Sequence, residues 1–67
     1  MKVLNLKIQR IKMKKKQKEI AKEVGITQQY LANLENGKSK NPSRDLMIKL
    51  AAALDTTVQE LFFSDEE

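Results

Sequence analysis

The 67-residue chain contains no cysteine and no histidine, and it has only two glycines and one proline. The absence of cysteine excludes a disulfide framework, and without cysteine or histidine we expect neither a zinc site nor a histidine-based catalytic centre. No apolar run approaches the ~18 residues of a membrane span, and no secretory signal follows Met1. With 40% hydrophobic residues, the composition favours one compact all-helical cytoplasmic domain, residues 1–67, without cofactor, metal or membrane.

The net charge of +4 is unevenly distributed along the chain. Residues 1–18 carry seven lysines and one arginine with no acid, whereas residues 50–67 carry five acids and no base. This gradient indicates either a face that meets a polyanion or a lysine-rich surface that is merely solvated. The pattern of residues 17–36 favours the face that meets a polyanion.

The stretch from Gln17 to Asn36, QKEIAKEVGITQQYLANLEN, predicts two short helices joined by a tight turn. Gly25 stands where a helix that ends in the left-handed region needs a residue without Cβ, and Thr27 is a good N-cap for the second helix. The apolar residues recur at helical spacing and predict the buried faces, namely Ile20, Ala21, Val24, Leu31 and Leu34. This pattern is typical of a helix-turn-helix, with Gly37 as the end of its second helix.

Three further helices are predicted, which makes the fold class an all-α, five-helix domain. Asn5 is an acceptable N-cap for a helix through about Lys14, with Leu6, Ile11 and Met13 facing inward. The preceding residues 1–4, MKVL, predict either a ragged end or a small strand that pairs with the C-terminal end.

The C-terminal third predicts the last two helices. Ser43 caps a helix from about Arg44 to Leu54, because Pro42 disfavours helix before it. Its apolar stripe consists of Met47, Leu50, Ala51 and Leu54. Thr57 and Glu60 have the spacing of a capping box and open a short helix through about Phe62, followed by a frayed acidic tail.

Gln28 and Gln29 begin the second helix of the motif, the part that such helices present to base edges in the major groove. A glutamine amide donates and accepts at once, and so matches N6 and N7 of adenine. Asn33 lies one turn further along the same face as a second base contact. Tyr30 either packs on a sugar or thymine methyl or fills an edge of the core.

A second group of polar residues predicts contacts with the phosphate backbone. After Gly37 the chain forms a polar loop that would lie along the DNA, and its contacts would position the protein without reading sequence. The predicted phosphate contacts in this group are Lys16, Lys38, Lys40, Asn41, Ser43 and Arg44.

Several segments together carry a family resemblance. They are Gln17 before Glu19–Ala21, the turn Val24–Thr27, the run Leu34–Lys38, Asn41–Ser43, and the pattern Leu50-Ala51…Leu54…Val58…Leu61. On these residues the chain resembles the Xre family of Cro/CI-type phage and bacterial repressors, and its recognition stretch looks most like 434-type repressors. The resemblance implies a lambda repressor-like fold and a dimer that binds a twofold-symmetric operator.

The resemblance also implies roles for three residues. Gln17 opens the first helix of the motif, where free backbone N–H groups attract a phosphate, and in the family its side chain contacts that phosphate. Arg10 and Glu35 match residues that pair inside the domain, so we expect a structural ion pair. The chain departs from the family at Lys14–Lys16, where glycine, an apolar residue and Ser or Thr are usual, and at Tyr30 and Asn33.

The C-terminal region has more apolar residues than so small a core needs, and two adjacent phenylalanines cannot both point inward from one helix face. Residues 57–63 therefore predict a dimer contact. Its predicted members are Leu54, Val58, Leu61, Phe62 and Phe63.

Taken together, the sequence predicts a dimeric repressor that binds double-stranded DNA and belongs to the prokaryotic nucleoid or is encoded by a phage. The alternative is an antitoxin-type or other interaction module, with a toxin or antirepressor bound at its C-terminal face. An enzyme is not expected, because no pair of catalytic side chains converges at a recognisable spacing.

Overall fold

In a computed structural model of the chain, residues 3–39 and 42–63 are described and form five helices without a strand. The helices are α1 (Val3–Lys12), α2 (Gln17–Val24), α3 (Gln28–Glu35), α4 (Arg44–Ala53) and α5 (Val58–Phe62). Helix α1 packs on α3 and α5, while α2 packs on α3 and α4, and α4 also contacts α5. The predicted all-α, five-helix architecture is confirmed.

One apolar core joins all five helices. Its buried members among the described residues are Leu6, Ile20, Ala21, Val24, Leu31, Leu34, Leu46, Leu50, Ala51, Leu54, Leu61 and Phe62. Every predicted inward residue of α2 and α3 is among them. Ile26 and Met47 are half-buried and pack against this cluster.

The prediction for α1 is wrong at both ends of the helix, at the Asn5 cap and at Ile11. The helix begins at Val3, before Asn5, so residues 3 and 4 form no strand, whereas Met1 and Lys2 lie outside the described residues. The side chain of Asn5 donates to the Glu60 carbonyl oxygen at 3.3 Å instead of capping α1. The helix ends at Lys12. Ile11 is 55% exposed because the inward face consists of Leu6, Gln9, Arg10 and Met13.

Side-chain caps fix the helix starts where the sequence predicted them. The hydroxyl oxygen of Thr27 accepts from the Tyr30 N–H at 3.0 Å, and that of Ser43 accepts from the Leu46 N–H at 3.1 Å. Thr57 accepts from the Glu60 N–H at 3.0 Å. Each of these bonds satisfies an N–H group that has no partner within its own helix, so the chain enters α3, α4 and α5 at defined positions.

Gly25 ends α2 with a φ of +82°, in the left-handed region. A Cβ built at Gly25 would meet no atom within 4 Å, so the glycine is required by its dihedral angle and not by lack of space. The Gly25 and Ile26 N–H groups both donate to the Ala21 carbonyl oxygen at 2.9 Å, which closes the turn between α2 and α3.

Replacing Gly25 with alanine is expected to destabilise the domain by about 1 kcal/mol. The left-handed conformation costs an L-residue roughly 1–2 kcal/mol, partly offset by the smaller entropy that alanine loses on folding. Urea denaturation followed by circular dichroism measures this difference. Gly25→Asn is the control and should cost less, because asparagine tolerates this conformation; equal stability of Gly25→Ala and the parent would refute the dihedral argument.

The three predicted dimer contacts Leu54, Leu61 and Phe62 are wrongly assigned, because each is at most 1% exposed. Helix α5 lies between α1 and α4, so two consecutive residues of this short helix both reach the core. The adjacent Phe63 is 50% exposed, and Val58 is half-buried. Only these two predicted residues remain on the surface of the protomer.

Candidate nucleic-acid interface

Helix α3 presents its first turn to solvent. Gln28 and Gln29 are both exposed, whereas Leu31 and Leu34 on the opposite face are buried and fix the helix to the core. Thr27 holds the start of the helix through its cap. The two glutamines predicted to read bases therefore lie on the exposed side of a helix that its opposite face fixes to the core.

A chain of hydrogen bonds connects this exposed turn to a buried ion pair. The Glu35 carboxylate accepts from Arg10 Nε at 2.6 Å and from Arg10 Nη2 at 3.2 Å, so the predicted ion pair is present. Gln17 Nε2 donates to Glu35 Oε1 at 3.0 Å, and Gln28 Nε2 donates to Gln17 Oε1 at 3.5 Å. The buried Glu35 carboxylate thus orients Gln17, and Gln28 makes a long, exposed contact with the Gln17 amide oxygen.

The ion pair itself is almost inaccessible to solvent, with the side chains of Arg10 and Glu35 only 13% and 1% exposed. Arg10 Nη1 also donates to the Lys15 carbonyl oxygen at 2.8 Å. One guanidinium therefore ties α1 to the end of α3 and to the turn before α2. Three donors on the Glu35 carboxylate, two from Arg10 and one from Gln17, replace the water that this group loses on burial.

Further along α3, Gln29 Nε2 donates to Asn33 Oδ1 at 3.0 Å. The two residues are one turn apart on the helix, so the predicted pair of base contacts is joined side by side. Tyr30 is half-buried and packs against the core, the second of the two positions that the sequence allowed for it.

Basic residues surround the N-terminal end of α2. A shallow depression of about 470 Å³ is lined by Arg10, Lys14, Lys15, Lys16, Gln17, Lys18 and Gln28. The predicted phosphate contacts Lys16 and Gln17 thus lie beside the base-reading candidate Gln28. Lys15 Nζ lies 3.8 Å from Glu23 Oε1, which partly neutralises it. Lys18 was not predicted; its position one residue after Gln17 in a lysine-rich run was the available signal.

The start of α2 has an unexpected cap. Lys16 provides no side-chain cap, but its backbone N–H donates to Glu19 Oε1 at 2.8 Å. A glutamate at the third helical position supplies this half of a capping box without Ser or Thr before the helix. The lysine side chain is therefore left exposed for another partner.

The other predicted phosphate contacts follow α3. Lys38 is exposed after the end of α3, and Ser43 and Arg44 are exposed at the start of α4. The Ser43 oxygen accepts from the Leu46 N–H, so its hydroxyl hydrogen is still able to bond a phosphate oxygen. Lys40 and Asn41 lie outside the described residues.

Among the described residues, no group of three Asp or Glu side chains is placed to hold a metal ion. Within the same residues, no helix is long and apolar enough to cross a membrane.

Helix α3 is capped by Thr27, exposes its first turn and packs on the short helix α2, and basic residues surround the start of α2. This arrangement defines a helix-turn-helix DNA-binding domain. The family model described as Helix-turn-helix matches residues 6–61, and the chain belongs to this family of transcription regulators, which is not an enzyme family. The expectation that the chain is a DNA-binding regulator and not an enzyme is confirmed.

Curated relatives agree with this assignment. An HTH-type transcriptional regulator of Archaeoglobus fulgidus is 38% identical over 58 residues, which cover 87% of this chain and 80% of the relative. The regulator SinR of Bacillus subtilis strain 168 is 34% identical over 64 residues, and the match covers 88% of this chain but 58% of SinR.

A solved structure has the same fold. The structure of a SinR protein/SinI protein complex matches with a TM-score of 0.86 and 28% sequence identity. The match covers 94% of this chain and 61% of the solved chain, so the likeness extends over nearly all of the five-helix domain.

Proposed function

We propose that this chain is a cytoplasmic, homodimeric transcriptional repressor, one domain over residues 1–67, that reads a palindromic operator in the major groove. The observation that carries the proposal is the exposed amide pair Gln28 and Gln29 on the first turn of α3, with Gln28 bonded through Gln17 to buried Glu35. Its location in a prokaryotic nucleoid, or its origin in a phage, belongs to the same proposal.

Gln28 reads one base pair. One of its two amide hydrogens is directed at Gln17, which leaves the second hydrogen and the oxygen for a base edge. These are the donor and acceptor that match N7 and N6 of adenine, and a good bidentate pair discriminates by about 1–3 kcal/mol. At 3.5 Å the bond to Gln17 is long and exposed, so it restrains the Gln28 amide only weakly before DNA binds.

Gln29 and Asn33 read adjacent bases as a bonded pair. Their mutual hydrogen bond uses one donor of Gln29 and one acceptor site of Asn33, so each amide retains groups for the DNA. Tyr30 contributes little direct reading, because it packs against the core.

The phosphate backbone is bound on both sides of α3. Lys16 and Gln17 meet it at the start of α2, and Lys38, Ser43 and Arg44 meet it after α3, with Lys40 and Asn41 as further candidates from the sequence. Residues 50–67 carry five acids and no base, so the phosphate backbone repels this end of the chain and keeps it away from the DNA.

The dimer forms through the exposed part of the C-terminal region, with Phe63 and Val58 as its apolar contacts. In a symmetric pair the same residues meet from both protomers. Two recognition helices about 34 Å apart then reach half-sites one helical turn apart.

A protein partner is the second candidate function. Ile8, Ile11 and Ile48 are each 46–55% exposed, which is unusual for isoleucine on a domain of this size. The matched solved structure is described as a complex between SinR and the protein SinI. A toxin or antirepressor that covers these side chains would make the chain an interaction module, with or without DNA binding.

Replacing Lys16 and Lys38 together with alanine should weaken binding to every duplex without altering sequence preference. Each phosphate contact that is lost reduces the slope of log K against log salt by about 0.9. Fluorescence anisotropy titrations at several salt concentrations measure this slope. Lys7→Ala, on the exposed face of α1 and outside the depression, is the control and should leave the slope unchanged. An unchanged slope in the double variant would contradict the assignment.

A further inference from the structure

Lys14 has an unusual backbone conformation for a lysine. In the turn between α1 and α2 its φ is +59°, in the left-handed region that glycine adopts without cost. The turn is closed by backbone bonds from the Lys14 N–H to the Ile11 carbonyl oxygen at 2.9 Å and from the Lys15 N–H to the Arg10 carbonyl oxygen at 3.2 Å. The conformation is thus imposed by the turn, and glycine would satisfy it better than lysine.

Among the described residues, no side-chain partner compensates for this backbone conformation of Lys14. The Lys14 side chain is exposed, and no hydrogen bond or ion pair joins it to any residue of the described part of the chain. Its neighbours differ, because Arg10 is bonded to Glu35 and Lys15 lies near Glu23. The Lys14 ammonium group is therefore a free cation on a backbone that disfavours it.

The position of Lys14 offers a reason. It lines the depression that Gln17 and Gln28 also line, together with Lys16 and Lys18. A phosphate that contacts Gln17 would also lie near the ammonium groups of Lys14, Lys16 and Lys18, beside Gln28.

We propose that Lys14 binds a backbone phosphate of the duplex that Gln28 reads, and that it occupies this position at the expense of fold stability. The proposal rests on the proposed function, and it adds a contact at a position where the resembled family usually has glycine. Its ligand is a phosphodiester oxygen of double-stranded DNA.

A purely structural role for Lys14 predicts the opposite change in stability. A cation near the C-terminal end of α1 interacts favourably with the helix dipole, so removing it would lower the melting temperature. Arg10 and Lys12 already occupy the last turn of that helix. If strain dominates, as we propose, Lys14→Gly raises the melting temperature.

Two variants of Lys14 separate charge from strain. Lys14→Gly removes both, so it should raise the melting temperature by roughly 4 °C and weaken DNA binding about fivefold to tenfold per bound protomer near 0.1 M salt. Lys14→Gln removes only the charge and should weaken binding equally without the gain in melting temperature. Both should reduce the salt slope by about 1 per bound protomer.

Asp55 provides a matched control, because it also has a left-handed φ, of +55°, and lies in the turn between α4 and α5. Asp55→Gly should raise the melting temperature and leave the salt slope unchanged. The binding assays use the full chain and two duplexes. One carries the operator obtained by selection from a random duplex library, and the other is a scrambled version of it.

The outcomes distinguish this proposal from the proposed function. Weaker binding and a lower slope for both Lys14 variants, with the thermal gain confined to Lys14→Gly, support the phosphate contact. If the parent chain prefers its operator but both Lys14 variants keep its affinity and salt slope, the phosphate contact is overturned. A lower melting temperature for Lys14→Gly would also overturn the proposal. A parent chain that binds the operator and the scrambled duplex equally overturns the proposed function and this proposal with it.

Discussion

Replacing Gln28 and Gln29 together with alanine should remove most of the sequence preference of the domain while leaving it folded. Each bidentate base contact discriminates by about 1–3 kcal/mol, so two contacts in each half-site account for most of the difference between operator and random DNA. Both side chains are exposed and alanine is a strong helix former, so the melting temperature should change little.

Competition titrations of operator against scrambled duplex measure this loss of preference. The residual affinity should remain dependent on salt, because the lysine contacts are intact. Lys7→Ala, at an exposed position of α1 outside the depression, is the control and should keep the full preference. If the double variant loses affinity equally for all duplexes, Gln28 and Gln29 do not read bases.

Replacing Arg10 with methionine should destabilise the domain by about 3–5 kcal/mol, because it leaves a buried carboxylate without its cation. The Glu35 side chain is 1% exposed and would retain only the bond from Gln17. Small domains have unfolding free energies of about 5–15 kcal/mol, so this single change removes a large fraction of the total.

Urea denaturation measures the loss, and two further variants identify its cause. In Lys15→Met the broken pair with Glu23 is exposed, with side chains 36% and 50% accessible, so the cost should be small. Arg10→Met combined with Glu35→Leu removes both charges and should recover much of the stability. The double variant should still bind DNA more weakly, because Gln17 loses the acceptor that orients it. Equal costs for Arg10→Met and Lys15→Met would refute the buried-charge argument.

The helix-turn-helix was predictable because its signals are local. The cap at Thr27, the left-handed Gly25 and the apolar spacing of α2 and α3 each depend on residues within one or two turns. Local hydrogen bonding and backbone sterics determine such features, and the rest of the fold changes them little. The exposure of Gln28 and Gln29 follows directly from the burial of the opposite helix face.

Tertiary contacts determined what the sequence did not reveal. Ile11 was expected inside, yet polar side chains line the inner face of α1: Gln9 donates to the Leu54 carbonyl oxygen at 2.8 Å, and Arg10 pairs with Glu35. Periodicity counts apolar residues and cannot identify polar residues that are buried with a partner. The residues of α5 were misassigned for a related reason, since a helix packed between two others buries more than one face.

The candidate site was predicted in its parts but not in its connections. Gln17, Gln28 and Glu35 were each singled out, but the hydrogen bonds that join them depend on how α2 and α3 cross. The left-handed conformation of Lys14 likewise has no signal in its own residue type, because lysine does not favour it. Its only sign in the sequence was the departure from a glycine in the resembled family.

Selection from a random duplex library at near-physiological salt, with the enriched molecules sequenced, tests the central claim most directly. A dimeric reader of the major groove predicts an enriched motif made of two inverted halves about one helical turn apart. A single unpaired half would retain base reading and remove the proposed dimer. No enrichment by a protein that is folded and helical would contradict sequence-specific DNA binding.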